Sequence, residues 1–391
     1  MKKLLAILLS AVMAMGILAG CGGNGDSSST GGSTAPNSNA GSNDLQGAYI
    51  FLMKQAGQVF YDRMWVGFEA AIKAMDPDAK IFDKSPAENT VTAQLTTMDE
   101  CLTQKIGALC IATFADTGFD EMNAKYKEAG IPIFSADSRA DDEYRITHFN
   151  QTDSELLGRY YLWTSILAAE KVDITDDMNV ETEAKKVVEN HSGDPIVVGL
   201  ISATPDSPVQ LAWHAAIDEE LKDAVYSGKV EQDIKYGNDD QVEAANQLNA
   251  FLSEGKVDVV FCMSGFGETV SQAAADAGAK IPVVGLALCS NAYEKLPTED
   301  QDTYGDDVIM PFAVLWDLGM NGYGAGAGMV AYLNGDFDGK AGSEYTSVAA
   351  DRFPETTFKC VDCPMDEGTE VVCGEPLIFT KYNKDTWKDR V

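Results

Sequence analysis

The stretch Ala108–Asp137, ALCIATFADTGFDEMNAKYKEAGIPIFSAD, contains the unit from which the rest of the chain can be read. Ala108 to Ala112 is a short, unbroken apolar run, the pattern of a strand buried on both faces. Phe119 to Ala129 reads as a helix, and Ile131 to Ser135 as the next strand. Strand, helix and strand in close succession form a βα unit, which requires a parallel sheet with helices packed on it.

The same rhythm extends upstream. Ala48 to Met53 reads as a strand, and Val59 to Met75 carries Phe60, Met64, Phe68 and Ile72 at helical spacing. Lys80 to Phe82 (strand) and Thr90 to Gln104 (helix) follow. Downstream, Ile146 to Phe149 is a short strand and Ser154 to Glu170 a long helix. Lys171 to Asp194 is polar, acidic and irregular. From Pro195 the rhythm restarts, with strands at Ile196–Ile201, Glu231–Tyr236, Val257–Cys262, Ile281–Leu286 and Val308–Leu315. The expected fold class is therefore α/β: two doubly wound parallel-sheet lobes, 45–150 and 151–316, joined by a hinge. The chain should cross between them near Asn150 and after Phe312. Residues 317–391 should form a hinge-crossing helix and a tail whose short strands return over the hinge, part of it to the first lobe.

The beginning of the chain has a different character. Lys2 and Lys3 precede an apolar run, Leu4 to Leu18, that ends in Leu18-Ala19-Gly20-Cys21. A basic start, a short apolar core and small residues mark a secretory signal, here residues 1–20. The Cys immediately after the small residues resembles the bacterial lipoprotein box, which implies lipidation of Cys21. Gly22 to Asn43 is nearly all Gly, Ser, Asn and Thr, a composition that cannot bury a core and serves as a tether. The resemblance implies a soluble body held at the outer face of the cytoplasmic membrane.

Composition narrows the class of partner. The 391 residues include 61 Asp and Glu against 29 Lys and Arg, a formal charge of −32. That balance opposes nucleic acid and anionic lipid surfaces, both of which need basic patches. Eight cysteines are present. Cys110 and Cys262 end apolar runs and read as small buried residues. Cys360, Cys363 and Cys373 leave three readings open: a disulfide, reduced structural thiols, or a zinc site that lacks a fourth ligand.

In open α/β sheets, ligands bind beyond the carboxyl ends of the strands, so the loops after each strand are where function is sought. Those loops offer Lys54, Phe60, Phe114, Asp137 and Arg139 in the first lobe. The second offers Ser264, Phe266, Trp316 and Asp317. Carboxylates and guanidinium groups exchange several hydrogen bonds with polyol hydroxyls. Aromatic rings cover the apolar faces of a sugar. Each residue alone has a plainer reading: Asp137 a turn residue, Trp316 core, Lys54 a solvated strand end. Their recurrence along one edge of both lobes is the stronger argument.

Several segments in order resemble the periplasmic-binding-protein type 1 receptors that feed sugars to ABC importers, over about Ala48 to Gly335. They are Lys54 to Phe68, Gly130-Ile131-Pro132-Ile133-Phe134-Ser135-Ala136-Asp137 and Asn150-Gln151. The second lobe adds Ala244 to Phe251, Ile281-Pro282-Val283-Val284-Gly285 and Leu315-Trp316-Asp317. The likeness is greatest to the branch binding rhamnose and the furanosyl autoinducer AI-2. It implies that Lys54 and Asp137, with residues around Gln210 (Trp213 included) and Ser264, contact ligand hydroxyls. The chain departs from the pattern at Val209, Leu286-Ala287 and Val314, where relatives carry Asp, Asp and Gln.

Other motifs carry less. Gly326-Ala-Gly328-Met-Val-Ala331 fits a dinucleotide fingerprint loosely but lies inside a predicted helix, where close helix packing explains it. Asp177-Met-Asn179-Val-Glu181 lacks the Gly and closing Glu of a calcium loop. No GxSxG, HExxH or Walker loop is present, and His148, His191 and His214 form no spaced cluster. The expectation is a monomeric solute-binding lipoprotein that captures a sugar or polyol and passes it to an ABC permease, with no enzymatic activity, cofactor or metal. A ligand sensor for a signalling partner and a secreted carbohydrate-active enzyme are the alternatives.

Overall fold

A computed structural model describes residues 44–115 and 117–391. Cys21, the signal and most of the tether lie outside the described residues, as does Asp116. Asp44 to Val391 forms one compact unit.

The first lobe opens with β1 (Tyr49–Leu52), α1 (Val59–Met75), β2 (Ile81–Asp83) and α2 (Val91–Thr103). It continues through β3 (Ala108–Ile111), α3 (Asp120–Ala129), β4 (Ile133–Ala136) and β5 (Arg145–Asn150). The second lobe runs from α4 (Ser154–Ala169) and α5 (Val180–Asn190) through β6 (Ile196–Ser202), α6 (Pro208–Glu220), β7 (Val230–Tyr236) and α7 (Gln241–Glu254). It ends with β8 (Val259–Cys262), α8 (Gly267–Asp276), β9 (Val283–Leu286), α9 (Cys289–Ala292) and β10 (Ala313–Trp316). Then come α10 (Leu318–Asn334), β11 (Glu344–Thr346), β12 (Thr357–Asp362), β13 (Thr369–Val372), β14 (Pro376–Phe379) and α11 (Lys384–Trp387).

Two sheets result. The first has the order β11-β12-β13-β5-β4-β3-β1-β2 and the second β14-β10-β9-β8-β6-β7. Within each, the five strands of the βα rhythm are parallel and take the doubly wound order 2-1-3-4-5. Every residue of β1, β3, β4, β8, β9 and β10 is buried, which is why these strands read as unbroken apolar runs. Gly130 closes α3 in the left-handed region at φ 69° and turns the chain into β4.

Three features differ from the sequence reading. Lys171 to Asp194 contains the helix α5, capped by Asn179, whose side chain accepts from the Thr182 amide at 2.8 Å. Val180, Ala184 and Val188 form a narrow buried stripe that the acidic composition concealed. The strand expected over Val308–Leu315 is confined to Ala313–Trp316. The tail returns to the first lobe, where β13 pairs parallel with β5, but it also goes on to the second, where β14 pairs antiparallel with β10. Within the described residues the chain thus crosses between lobes three times, after β5, after β10 and after β13.

The second crossing delivers α10 onto α1. A Cβ on Gly322 would stand 1.9 Å from the Met64 carbonyl oxygen, and one on Gly67 would stand 1.8 Å from that of Gly319. The helices meet backbone to backbone, so the glycine run of α10 is a packing device. All seven described cysteines are unpaired and buried. The Cys360 thiol donates to the Gly339 carbonyl at 3.4 Å, and the Cys363 thiol to Glu370 at 3.6 Å. Among the described residues no group of three or more His, Cys, Asp or Glu could hold a metal ion.

Candidate functional site

The carboxyl ends of β1 and β4 bring together the most reactive set of side chains on the cleft edge. Asp137 follows β4 with φ 62°, a left-handed conformation that Asp tolerates better than most residues and that turns the chain sharply there. Its Oδ2 lies 3.5 Å from the Lys54 ammonium and accepts from the Tyr61 hydroxyl at 3.1 Å and from Ser138 at 3.4 Å. Burial, reinforced by the Asp137 charge, holds the Tyr61 phenol far above its ordinary pKa, so it remains a donor. No hydrogen bond within the described residues engages Asp137 Oδ1. One carboxylate oxygen is anchored and the other is left as an acceptor.

Aromatic rings stand beside this group. Phe60 meets Tyr61 edge-on at 5.2 Å and Trp316, from the end of β10, at 6.4 Å. Trp316 is buried, and its indole N–H has no partner within the described residues. Phe114, at the end of β3, is 41% exposed and flanks the edge rather than closing it.

Other expected site residues are committed elsewhere. Arg139 pairs with the buried Glu370 at 2.9 Å, and the other Glu370 oxygen accepts from Asn150 at 3.2 Å. Asp317 caps α10 through the Met320 amide at 3.0 Å. It also holds Arg352 bidentately at 2.7 and 2.9 Å, so both its oxygens are occupied at the second crossing. Trp213 is buried in the contact between α4 and α6, edge-on to Tyr161 at 5.3 Å. Gln210 is buried beneath the edge: its carbonyl oxygen accepts from Ser202 and from the Ala203 amide, each at 2.5 Å, and its NH2 donates to the Met263 carbonyl at 3.3 Å. Ser264 lies against the Cys262 thiol at 3.5 Å, and Phe266 is half-buried against the core of the second lobe. The structure therefore groups Lys54, Phe60, Asp137 and Trp316, and sets Trp213, Arg139 and Asp317 apart as packing or bracing residues.

His214 completes the Gln210 network, with Nε2 3.0 Å from the Ser202 hydroxyl. Ser202 gives its proton to Gln210, so Nε2 must carry the imidazole proton, which leaves Nδ1 buried without a partner. Burial depresses the His214 pKa, with Asp218 opposing.

Tyr61, Gln94, Arg352 and Glu370 were not anticipated. Tyr61 and Gln94 had a signal: Tyr61 sits beside Phe60 at the start of α1, and Gln94 interrupts the stripe continued by Met98 and Cys101. Arg352 and Glu370 had none, because their partners lie 35 and more than 200 positions away.

Two doubly wound lobes joined by three chain crossings make up the fold. The sequence profile of the periplasmic binding protein domain matches residues 49–337, and the chain belongs to that family, one of solute-binding proteins and not of enzymes. No curated protein sequence matches the chain. Among solved structures, it is similar to an ABC transporter solute-binding protein from Clostridium phytofermentas with bound L-rhamnose. That pair has a TM-score of 0.68 and 19% identity over 88% of this chain and 99% of that one. LsrB from Clostridium saccharobutylicum in complex with AI-2 gives 0.64 and 19%, over 87% and 99%. AraP, an arabinose-binding protein from Geobacillus stearothermophilus, gives 0.59 and 16%, over 88% and 99%.

Proposed function

We propose that this protein captures a neutral sugar-like molecule between its lobes and hands it to an ABC permease, while a lipid on Cys21 holds it at the outer face of the membrane. The observation that carries this reading is the Asp137 group. One carboxylate oxygen is fixed by Lys54 and Tyr61, the other is unengaged, and the Phe60 and Trp316 rings stand alongside. A carboxylate and an ammonium side by side accept from and donate to adjacent hydroxyls of a polyol, and the rings cover its C–H face. Lys54 is already neutralised by Asp137, which disfavours phosphorylated sugars and sugar acids. L-rhamnose, AI-2 and arabinose in the names of similar structures fall in the same chemical class. Ligand contacts to both lobes stabilise the closed form, and no covalent step is involved.

A thermal-shift screen of residues 45–391 against monosaccharides and polyols tests the reading, since a ligand bound only by the folded form raises the melting temperature. A dose-dependent rise with a neutral sugar is expected. A response confined to amino acids, peptides or anionic ligands would overturn it. The anchor is tested separately: Cys21→Ala should release the protein from membranes and abolish labelling by a fatty-acid probe.

A further inference from the structure

Parallel strands end with backbone groups that no further strand can pair, and when those ends are buried something else must satisfy them. In each lobe one buried glutamine does so, at matching places in the sheets. Gln94, fully buried in α2, donates to the Met53 carbonyl at 3.2 Å and the Ala112 carbonyl at 2.8 Å, and accepts from the Phe114 amide at 2.8 Å. It thereby ties the end of β1 to the end of β3. Gln210, buried in α6, accepts from the Ala203 amide and donates to the Met263 carbonyl, tying the end of β6 to the end of β8. β1 and β3 are neighbours in the first sheet, and β6 and β8 hold the same positions in the second.

The residues beyond these ties lie at the carboxyl ends of the strands, where the candidate site is. Lys54 directly follows Met53, and Phe114 is itself held through its amide. Thr113, between Ala112 and Phe114, donates to the Arg139 carbonyl at 2.7 Å, two residues beyond Asp137. In the second lobe Ser264 directly follows Met263, and Ala203 opens the loop 203–207. The two amides come from different helices of the βα order, α2 after the second strand and α6 after the first. The shared arrangement is therefore one of geometry, not of repeated sequence.

We propose that Gln94 and Gln210 are paired positioning residues, each fixing the spacing of two strand ends so that the cleft loops of its lobe are held ready for ligand. In each case the amide is engaged by strand-end backbone groups of its own lobe. The inference rests on the sugar-binding reading for its affinity arm, but its first test does not. Amide hydrogen exchange is measured on ligand-free wild type, Gln94→Met and Gln210→Met. Methionine matches glutamine in length and lacks its donors and acceptor. The expected result is a tenfold or larger loss of protection at Phe114 in the first variant and at Ala203 in the second, with β2 and β7 unchanged. Should a methionine variant fail to fold, Gln94→Glu and Gln210→Glu keep shape and acceptor, remove the donors and set a carboxylate against the carbonyls they held. In those variants the faster exchange is expected at Thr113–Ala115 and at Ser264–Phe266.

The second arm measures Kd for whichever monosaccharide raises the wild-type melting temperature. Met98→Ala in α2 and Ile217→Ala in α6 serve as core controls of comparable thermal destabilisation. Each glutamine variant should weaken binding tenfold or more, and each control less than threefold. Unchanged exchange at Phe114 and Ala203, or controls that weaken binding as much as the glutamine variants, would overturn the proposal. If no monosaccharide binds wild type, the sugar-binding reading falls and the exchange arm alone decides the role of the glutamines.

Discussion

The two lobes share strand order and a glutamine brace, yet they present different chemistry to the cleft. The first holds an ion pair, Lys54–Asp137, backed by a buried tyrosine. The second offers Ser264, Phe266 and the Trp316 ring, while its principal polar network, Ser202–Gln210–His214, is turned inward. A fold can thus repeat a scaffold without repeating a site, because the scaffold depends on buried strand ends and the site depends on the few residues just beyond them. On the proposed sugar-binding reading, most of the ligand's enthalpic anchoring would come from the first lobe, with the second closing over it.

The sharpest way to break that comparison is Asp137→Asn. Asparagine tolerates the left-handed backbone at φ 62°, so the loop should stay in place. What is lost is the charge that orients Lys54 and accepts from a hydroxyl. Hydrogen bonds to charged groups contribute about 1.5–3 kcal/mol, roughly a tenfold to hundredfold loss in affinity by titration calorimetry. An effect below threefold would remove the first lobe's primacy.

Next in size is the strut between lobes. Arg352 holds Asp317 at the second crossing and stacks on Phe353 at 4.4 Å. Arg352→Met leaves a largely buried carboxylate with only its cap bond and should lower unfolding stability by about 2 kcal/mol. Because both Asp317 oxygens are occupied by the cap bond and Arg352, neither is offered to a ligand, and affinity should change much less than stability. Parallel denaturation and calorimetry check this.

Each lobe also buries one histidine, and their pH responses should differ in extent. Burial lowers the His148 pKa strongly, assisted by Arg139 and Arg145, and lowers that of His214 more modestly. The folded protein therefore refuses protons that the unfolded chain accepts once pH falls below about 6.5. Stability is full above that value and declines as pH drops, by at most about 1.4 kcal/mol per pH unit for each group. The His214 contribution levels off first, at its folded pKa, while that of His148 continues downward. Urea denaturation at pH 7, 6 and 5 should show His148→Gln flattening the acid limb more than His214→Gln. The reverse order would assign the acid-labile element to the second lobe.

How far the sequence carried these conclusions depends on range. The parallel strands were legible because burial on both faces writes an unbroken apolar run, as in Ala108 to Ile111. Lys54, Asp137 and Trp316 could be singled out as candidates because a strand end plus a polar or aromatic residue is a local pattern. The helix α5 was not, since three small buried residues on one face are outweighed by the acids around them. The third crossing and the partners of Arg139 and Asp317 were not, because Glu370 and Arg352 reach their partners only through the folded tail. Arg139 and Asp317 were read by residue type as ligand groups, and residue type cannot tell whether a charge is already paired.

The smallest expected effect tests the second lobe's part directly. Ser264 is buried just beyond the brace formed by Gln210 and Met263, with its hydroxyl against the Cys262 thiol. If that hydroxyl turns to a ligand on closure, Ser264→Ala removes one neutral hydrogen bond, about 0.5–1.5 kcal/mol, or roughly a twofold to tenfold loss in affinity. A hydroxyl bonded only to the thiol has little to lose, and the variant should then bind as wild type does. Calorimetry beside Asp137→Asn places both numbers on one scale. A Ser264 effect equal to that of Asp137 would mean the lobes share the anchoring evenly, and the charged edge of the first lobe would then set ligand orientation more than affinity.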